Sequence, residues 1–316
     1  MADRVHVAAA AVVDAKGRVL IAQRPQHLHQ GGLWEFPGGK LEPGESAYQA
    51  LVRELHEEVH LEVEAARPLI RISYDYPDKA VLLDVWRVDG FRGDGVGREG
   101  QPVRWVPVES LAEYTFPAAN APIVNAVRLP DRYLITGSFE SVEDFADRLQ
   151  RALTAGVRLV QLRAPTLDEA SFEALAEVAA GLCRAAGAAL LLNADPMLVS
   201  RLGVDGVHLN GARLRACRER PLGPERWVAA SIHNIEELAL AQRLGVDFVV
   251  AGPVALTSSH PQSEPIGWDG LRALTEQAAV PVYALGGVGP GECTRAFEHG
   301  AQGVAAIRAL WDAPNV

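Results

Sequence analysis

The amino-acid sequence predicts an α/β protein in two parts, an N-terminal α/β/α sandwich over residues 1–129 and a C-terminal (βα)8 barrel over residues 130–316. Three observations predict it. The 316 residues exceed the ~250–300 at which a single hydrophobic core stops growing. Up to residue 129, β-like stretches surround one strongly patterned helix. Beyond a short linker, Leu129-Pro130-Asp131-Arg132, apolar runs alternate with helical stretches, the grammar of parallel βα units.

In chain order, residues 5–13 and 18–24 read as strands with a turn at Ala15-Lys16-Gly17. The apolar run VHVAAAAVV is too short to span a bilayer and lacks the basic flank of a signal peptide. Arg24 ends the second strand and opens a loop to Trp34-Glu35-Phe36-Pro37. A Pro-Gly-Gly turn and a second Pro-Gly pair then lead into the helix. Ser46 is its N-cap, and Gln49 closes a capping box. Leu51, Leu55 and Val59 recur every four residues as its core stripe.

Another face of that helix carries Glu54, Glu57 and Glu58. Side chains at i, i+3 and i+4 lie about 5–6 Å apart at Cβ, and like charges there repel. Arg53 supplies part of the counter-charge, and this density of hard oxygen donors suits Mg²⁺ or Mn²⁺. On the helix alone, a solvated acidic face remains the competing reading. After the helix, residues 66–76 and 80–88 alternate as strands around a Pro77-Asp78 turn. The Gly-rich FRGDGVGREGQP, a strand at 103–107 and a helix near 118–128 complete the sandwich.

Apolar content of 48% with 22% charged residues describes an ordinary globular chain. Net charge is −10. Both parts are acidic, with 14 basic against 18 acidic residues up to Leu129 and 16 against 22 beyond it. That argues against a nucleic-acid polymer as partner, since such binding needs a basic patch. A nucleotide whose charge is carried by a metal ion stays compatible. Cys183, Cys217 and Cys293 show neither paired nor metal-type spacing, as expected of reduced thiols in a cytoplasmic protein. No membrane partner is expected.

In the second part, eight apolar strands are expected at 133–137, 159–163, 189–193, 206–209, 227–233, 248–254, 280–287 and 303–310. Continuous apolar runs indicate strands buried on both faces, hence a parallel sheet. Seven helical stretches separate them, and the last helix is short or missing. Arg163, Asn193, His208, His233, Gly252-Pro253 and Gly286-Gly287 fall at strand C-termini, where barrels of this kind place their sites. Glycines after the seventh strand, with the loop after the eighth, suit a phosphate. His208 and His233 read equally well as structural barrel residues.

The helix and its approach, G-x5-E-x7-R-E-U-x-E-E-x-H-U from Gly39 to Leu61, resemble the Nudix box at every defined position but one. His60 stands where the family has Gly, a position in the left-handed region that His tolerates better than most residues. EFPGGK, GREGQPVRWVPVESL and FPAANAPIV resemble the MutT-type branch, which hydrolyses 8-oxo-dGTP. The resemblance implies Gly38, Glu54, Glu57 and Glu58 as metal ligands and Glu99 as an outlying ligand or base. It implies Glu54, Glu99 and Arg53 as the catalytic group, with Glu54 the preferred base. Arg24 and Phe36 would line the nucleotide pocket, and the Asn120 amide would read the purine edge. Taken alone, Glu99 is an ordinary loop charge and Asn120 a helix cap. The implied reaction is attack of a metal-activated water on a nucleoside triphosphate, releasing monophosphate and pyrophosphate.

YLIT, GVRLVQLR, GVDGVHLN, AASIH, GPVALTSS and YALGGV resemble thiamine-phosphate synthase and its relative thiazole tautomerase. This implies Arg163, Asn193, His233, Gly286 and Gly287 as ligand-binding residues. The synthase pattern is eroded. Its Q-x-R-x-K reads Gln161, Arg163, Pro165, and its Asn-Asp pair reads Asn193-Ala194. Its second metal Asp is Arg213, and T-x-T-K reads Thr257, Ser258, Ser259, His260. Losing both metal carboxylates should disable Mg²⁺-pyrophosphate chemistry. Tautomerisation needs no metal, and His233 stands where a proton shuttle would. Three readings follow: a nucleotide-sanitising hydrolase with an appended barrel, a thiamine-pathway enzyme acting on pyrimidine or thiamine pyrophosphates, or a hydrolase whose barrel senses a phosphorylated thiazole or thiamine ligand.

Overall fold

The structure, a computed structural model, describes residues 4–27, 30–77, 79–98, 100–257 and 264–312. Glu99, Asp78 and Ser258 to His260 therefore lie outside the described residues. The chain divides into two compact units, Met1–Arg128 and Leu129–Val316.

The first unit contains β1 (Val5–Val12), β2 (Arg18–Gln23), β3 (Trp34–Glu35), β4 (Gly38–Lys40), α1 (Ala47–Val59), β5 (Glu62–Asp75), β6 (Ala80–Arg92), β7 (Val103–Pro107) and α2 (Ala121–Arg128). Strands pair in the orders β4-β1-β6-β5 and β3-β2-β7. β1 runs parallel to β6 and antiparallel to β4. Side chains alternate across a strand, and β1 uses both faces. Ala8, Ala10 and Val12 pack with Leu51, Leu55 and Val59 of α1. Ala9, Ala11 and Val13 pack with Ile123, Ala126 and Val127 of α2. Each large aliphatic side chain buried this way contributes about 1.5–3 kcal/mol. The sandwich is thus built on either side of one Ala/Val-rich strand.

The capping box at Ser46 and Gln49 forms, the Gln49 side chain accepting the Ser46 N–H at 2.9 Å. His60 ends α1 in the left-handed region, with φ 56° and ψ 44°. β3 and β4 carry no period a sequence could show, being two and three residues long. β5 and β6 exceed the expected 66–76 and 80–88. Glu62 and Val63 pair with Arg92 and Phe91 across a bulged ladder, so partner strands rather than alternation define those ends.

The second unit contains β8 (Arg132–Ile135), α3 (Val142–Thr154), β9 (Leu159–Leu162), α4 (Glu169–Ala185), β10 (Ala189–Leu192), α5 (Pro196–Leu202), β11 (Gly206–Leu209), α6 (Gly211–Ala216), β12 (Trp227–Ile232), α7 (Ile235–Leu244), β13 (Phe248–Ala251), α8 (Gly267–Thr275), β14 (Val282–Leu285), α9 (Cys293–Glu298), β15 (Gly303–Ala306) and α10 (Arg308–Trp311). The eight strands are parallel and close into a barrel. Tyr133, Leu159, Leu191, Phe248 and Tyr283 fill its interior. Ser141, Asp168, Asp195, Asn210 and Asn234 each cap the helix that follows a strand.

Two expectations change. The segment read as a linker belongs to the barrel floor. Leu129 is 4% exposed and packs in the interior cluster. Its carbonyl accepts from Gln302 Nε2 at 2.9 Å, and Tyr283 donates its hydroxyl to the Pro130 carbonyl. The apolar run 303–310 is a strand only to Ala306, and Arg308–Trp311 form the short final helix. None of Cys183, Cys217 and Cys293 forms a disulfide among the described residues, and burial pushes the Cys183 thiol up to about 12. Among the described residues no helix is long and apolar enough to cross a membrane.

Candidate functional site

In the first unit, Arg53 is the hub. It donates to Glu45 through Nε at 3.0 Å and Nη2 at 2.9 Å, to Glu54 at 2.8 Å, to Glu57 at 3.3 Å and to the Lys40 carbonyl at 3.0 Å. Hydrogen bonds from Arg53 hold the Glu45 carboxyl below the usual range, and those same bonds raise the guanidinium. One side chain therefore ties the β4 loop to the acidic face of α1. The loop lies directly on that face. Glu58 accepts the Gly38 N–H at 3.0 Å, and a Cβ on Gly39 would sit 2.1 Å from a Glu54 oxygen. The position that demands glycine is Gly38, at φ 147°, where a Cβ would stand 2.1 Å from the Ala8 carbonyl oxygen.

Glu54 is largely covered, its side chain 15% exposed, whereas Glu57 is open at 58%. Among the described residues no three His, Cys, Asp or Glu side chains converge as a metal-binding group. Glu54 is turned to Arg53 and Glu58 to Gly38. The donor set still suits a hard cation, because every candidate atom is oxygen and the glycine turn admits close approach.

Arg24 is ion-paired with Glu35, whose carboxyl burial pushes up despite the guanidinium beside it. Phe36 is 3% exposed and stacks on Phe116 at 5.4 Å, so it supports the core beneath the loop. Asn120 ends a 3-10 turn, Ala118–Asn120, just before α2. It is half-buried, and its amide has no hydrogen-bond partner among the described residues.

In the second unit, the strand C-termini open on a cavity of about 530 Å³ lined by Arg163, Asn193, His233, Gly286, Gly287 and Arg308, among others. Gly286 and Gly287 have φ 96° and 65°, and a Cβ on either would meet Pro253 or the Leu256 carbonyl below 3 Å. His233 bonds Glu237 at 2.8 Å and remains exposed. Burial pushes Glu237 up, yet bonds from His233 and the charge of Arg215 bring it below the usual range.

Beneath the mouth a polar chain crosses the barrel. Arg213 donates to Asn193 Oδ1 (3.1 Å), and Asn193 donates to Gln161 (2.9 Å). Gln161 donates to the Tyr133 hydroxyl (3.4 Å), which meets His208 Nδ1 (3.2 Å). His208 Nε2 meets Ser231 at 2.8 Å. Burial, then the charge of Arg163, pushes His208 down to about 3. His208 is thus a neutral core residue and not part of the mouth.

Residues 8–126 match the NUDIX domain family, and residues 132–310 match the thiamine monophosphate synthase family. Over 121 residues the chain is 34% identical to the 8-oxo-dGTP diphosphatase of Escherichia coli (strain K12), covering 38% of this chain and 94% of that protein. Over 117 residues it is 38% identical to the CTP pyrophosphohydrolase of the same organism, covering 37% and 87%. Over 188 residues it is 37% identical to the thiamine-phosphate synthase of Geobacillus kaustophilus (strain HTA426), covering 58% and 85%. The chain belongs to both families, a Nudix domain followed by a thiamine monophosphate synthase domain.

The Nudix domain is accordingly a hydrolase of phosphoric anhydrides, of a family that generally needs a divalent cation. Nucleotides or phosphorylated small molecules are the substrates that the two domains imply. The structure brings Gly38, Arg53, Glu54 and Glu58 together, with Glu57 at the edge. In the synthase-type barrel it brings Arg163, Asn193, His233, Gly286 and Gly287 to one cavity. Sequence reading missed Thr136, whose buried hydroxyl bonds both the Arg163 N–H (2.8 Å) and its carbonyl (3.0 Å). It also missed Tyr133 and Ser231, since polar residues inside apolar strands announce no partner until the barrel closes.

Proposed function

We propose that the Nudix half hydrolyses 8-oxo-dGTP to the monophosphate and pyrophosphate with Mg²⁺, and that the barrel binds a phosphorylated thiazole or thiamine ligand without joining pyrimidine pyrophosphate to thiazole phosphate. The observation that carries the first part is the Asn120 amide, half-buried and without a hydrogen-bond partner among the described residues. An amide offers one acceptor and paired donors. An oxidised guanine presents a donor at N7 beside the acceptor O6, whereas guanine presents acceptors at both. Asn120 matches the oxidised edge.

Gly38, Glu54, Glu57 and Glu58 would hold the cation, with Glu99 as the outlying ligand. When bound, the ion supplies charge neutralisation of the triphosphate and a more acidic water. Glu54 takes the proton of the attacking water, Arg53 orients Glu54, and Arg24 with Glu35 borders the base pocket. The 38% identity to a CTP pyrophosphohydrolase favours a second reading, hydrolysis of a pyrimidine triphosphate. The fused barrel favours a third, a thiamine-type pyrophosphate.

Turnover of the full chain on 8-oxo-dGTP, dGTP, CTP and thiamine pyrophosphate separates these. Highest kcat/KM is expected for 8-oxo-dGTP. Asn120→Ala should lower its ratio over dGTP by about 1–3 kcal/mol, the cost of an unpaired buried group. An unchanged ratio would move lesion recognition elsewhere. For the barrel, Ala194 and Arg213 stand in place of both metal carboxylates. The full chain should therefore neither catalyse Mg²⁺-dependent thiamine phosphate synthesis nor rescue a thiamine-requiring strain. Robust synthase turnover would overturn that argument.

A further inference from the structure

The polar chain across the barrel has a direction as well as members. Arg213 comes from α6 and Asn193 from the residue after β10. Gln161, Tyr133, His208 and Ser231 come from β9, β8, β11 and β12. Gln161, Tyr133 and His208 are each no more than 1% exposed. Water does not reach them, so a polar atom there bonds its neighbour or stays unsatisfied at a cost. In such a network the orientation of each amide and the tautomer of the imidazole follow from the partners.

Arg213 is the fixed point, because a guanidinium only donates. The Asn193 atom facing it at 3.1 Å is therefore the oxygen, and the Asn193 nitrogen turns to Gln161 at 2.9 Å. Gln161 receives through its oxygen, which leaves its nitrogen for the Tyr133 hydroxyl at 3.4 Å. Burial pushes the Tyr133 phenol well above its usual range, so it keeps its hydrogen. The acceptor for that hydrogen is His208 Nδ1 at 3.2 Å. His208 is neutral, burial having pushed it down to about 3. A neutral imidazole carries a hydrogen on one nitrogen only. That nitrogen is Nε2, which donates to Ser231 Oγ at 2.8 Å. The hydroxyl hydrogen of Ser231 is left over. Ser231 makes no other side-chain hydrogen bond among the described residues, and it lines the cavity of about 530 Å³.

We propose that Arg213 is a positioning residue that sets the direction of this chain, so that Ser231 presents a hydroxyl hydrogen to the first cavity and a ligand there meets a donor. Arg213 itself lines a neighbouring cavity of about 830 Å³. A charge beside one cavity thus defines the hydrogen-bonding character of the other. Arg213 stands where the synthase pattern has an Asp. A carboxylate only accepts, and in that place it would run the chain the opposite way, with hydrogen on His208 Nδ1 and the Ser231 hydroxyl turned inward. The consequence for a ligand rests on the reading of the first cavity as a ligand site. The direction of the chain does not.

The test is NMR of the full chain with ¹⁵N-labelled histidine at neutral pH and without ligand. The His208 signals are those lost in His208→Gln. Nε2 should be protonated and Nδ1 bare. Arg213→Lys, also donor-only, should keep that pattern. Arg213→Glu should exchange the character of the two ring nitrogens. Asn193→Asp should do the same without a change of shape. Its carboxylate accepts from Arg213 and from a turned Gln161 amide, whose oxygen then takes the Tyr133 hydrogen. Circular dichroism melts establish which variants fold, and Asn193→Asp carries the test if Arg213→Glu does not. Hydrogen on Nδ1 in the unmodified chain overturns the assigned direction. A tautomer unchanged in folded Arg213→Glu or in Asn193→Asp overturns the control exerted from Arg213.

Discussion

Arg53 shows how much one residue does in this protein. Three glutamates on one helical stripe repel each other, and the guanidinium beside them satisfies Glu54, Glu57 and the more distant Glu45 together. The box loop and the box helix are therefore held by the same charge. Glu54 is the carboxylate at the centre, covered by Gly39 and touching Arg53. Glu54→Gln preserves shape and leaves an amide oxygen for Arg53, so the unit should fold. It should lose proton acceptance, and kcat should fall by at least ~10², the low end for general acid–base catalysis. Wild-type turnover in a purified Glu54→Gln protein would remove this residue from the chemistry.

At the scale of the element, α1 was legible because its signals are local. The Ser46–Gln49 box and the Leu51, Leu55, Val59 stripe need only neighbours within one turn or two, and both form as read. His60 is the strained point, a non-glycine residue at φ 56°. A left-handed L-residue costs about 1–2 kcal/mol, part of which glycine returns through its greater freedom when unfolded. His60→Gly should thus stabilise the first unit by about 0.5–1 kcal/mol, a rise of roughly 2–5 °C in its melting transition. The measurement is differential scanning calorimetry of the full chain, and an unchanged or lowered transition would show that the contact between Arg98 and the His60 ring (3.5 Å) outweighs the strain.

At the scale of the whole molecule, barrel closure creates a pH dependence. His208 is fully enclosed between Tyr133 and Ser231, and burial followed by the charge of Arg163 lowers it from 6.5 to about 3. Between those values the unfolded chain holds the extra proton. Stability from this group is therefore complete above pH 6.5 and falls as pH drops towards 3, by up to about 1.4 kcal/mol per pH unit. Denaturant titrations between pH 6.5 and 4.5 should show this slope, and His208→Gln should flatten it. An equal slope in the variant would assign it to carboxylates instead.

By itself the sequence determined the two-part α/β architecture, the box helix with its caps, and the eight strands, because periodicity, capping and apolar runs are properties of adjacent residues. It also located the glutamates and the strand-end residues, since motif spacing is local. Only the tertiary structure decided what those residues touch. It placed Phe36 in the core, made Leu129 part of the barrel floor, and turned Asn193 into the support of Arg213. It also formed β3, β4 and the ends of β5 from pairing with distant strands. These outcomes depend on partners far apart in the chain, such as Tyr133 and His208, whose meeting costs loop-closure entropy and is offset only when the whole barrel closes.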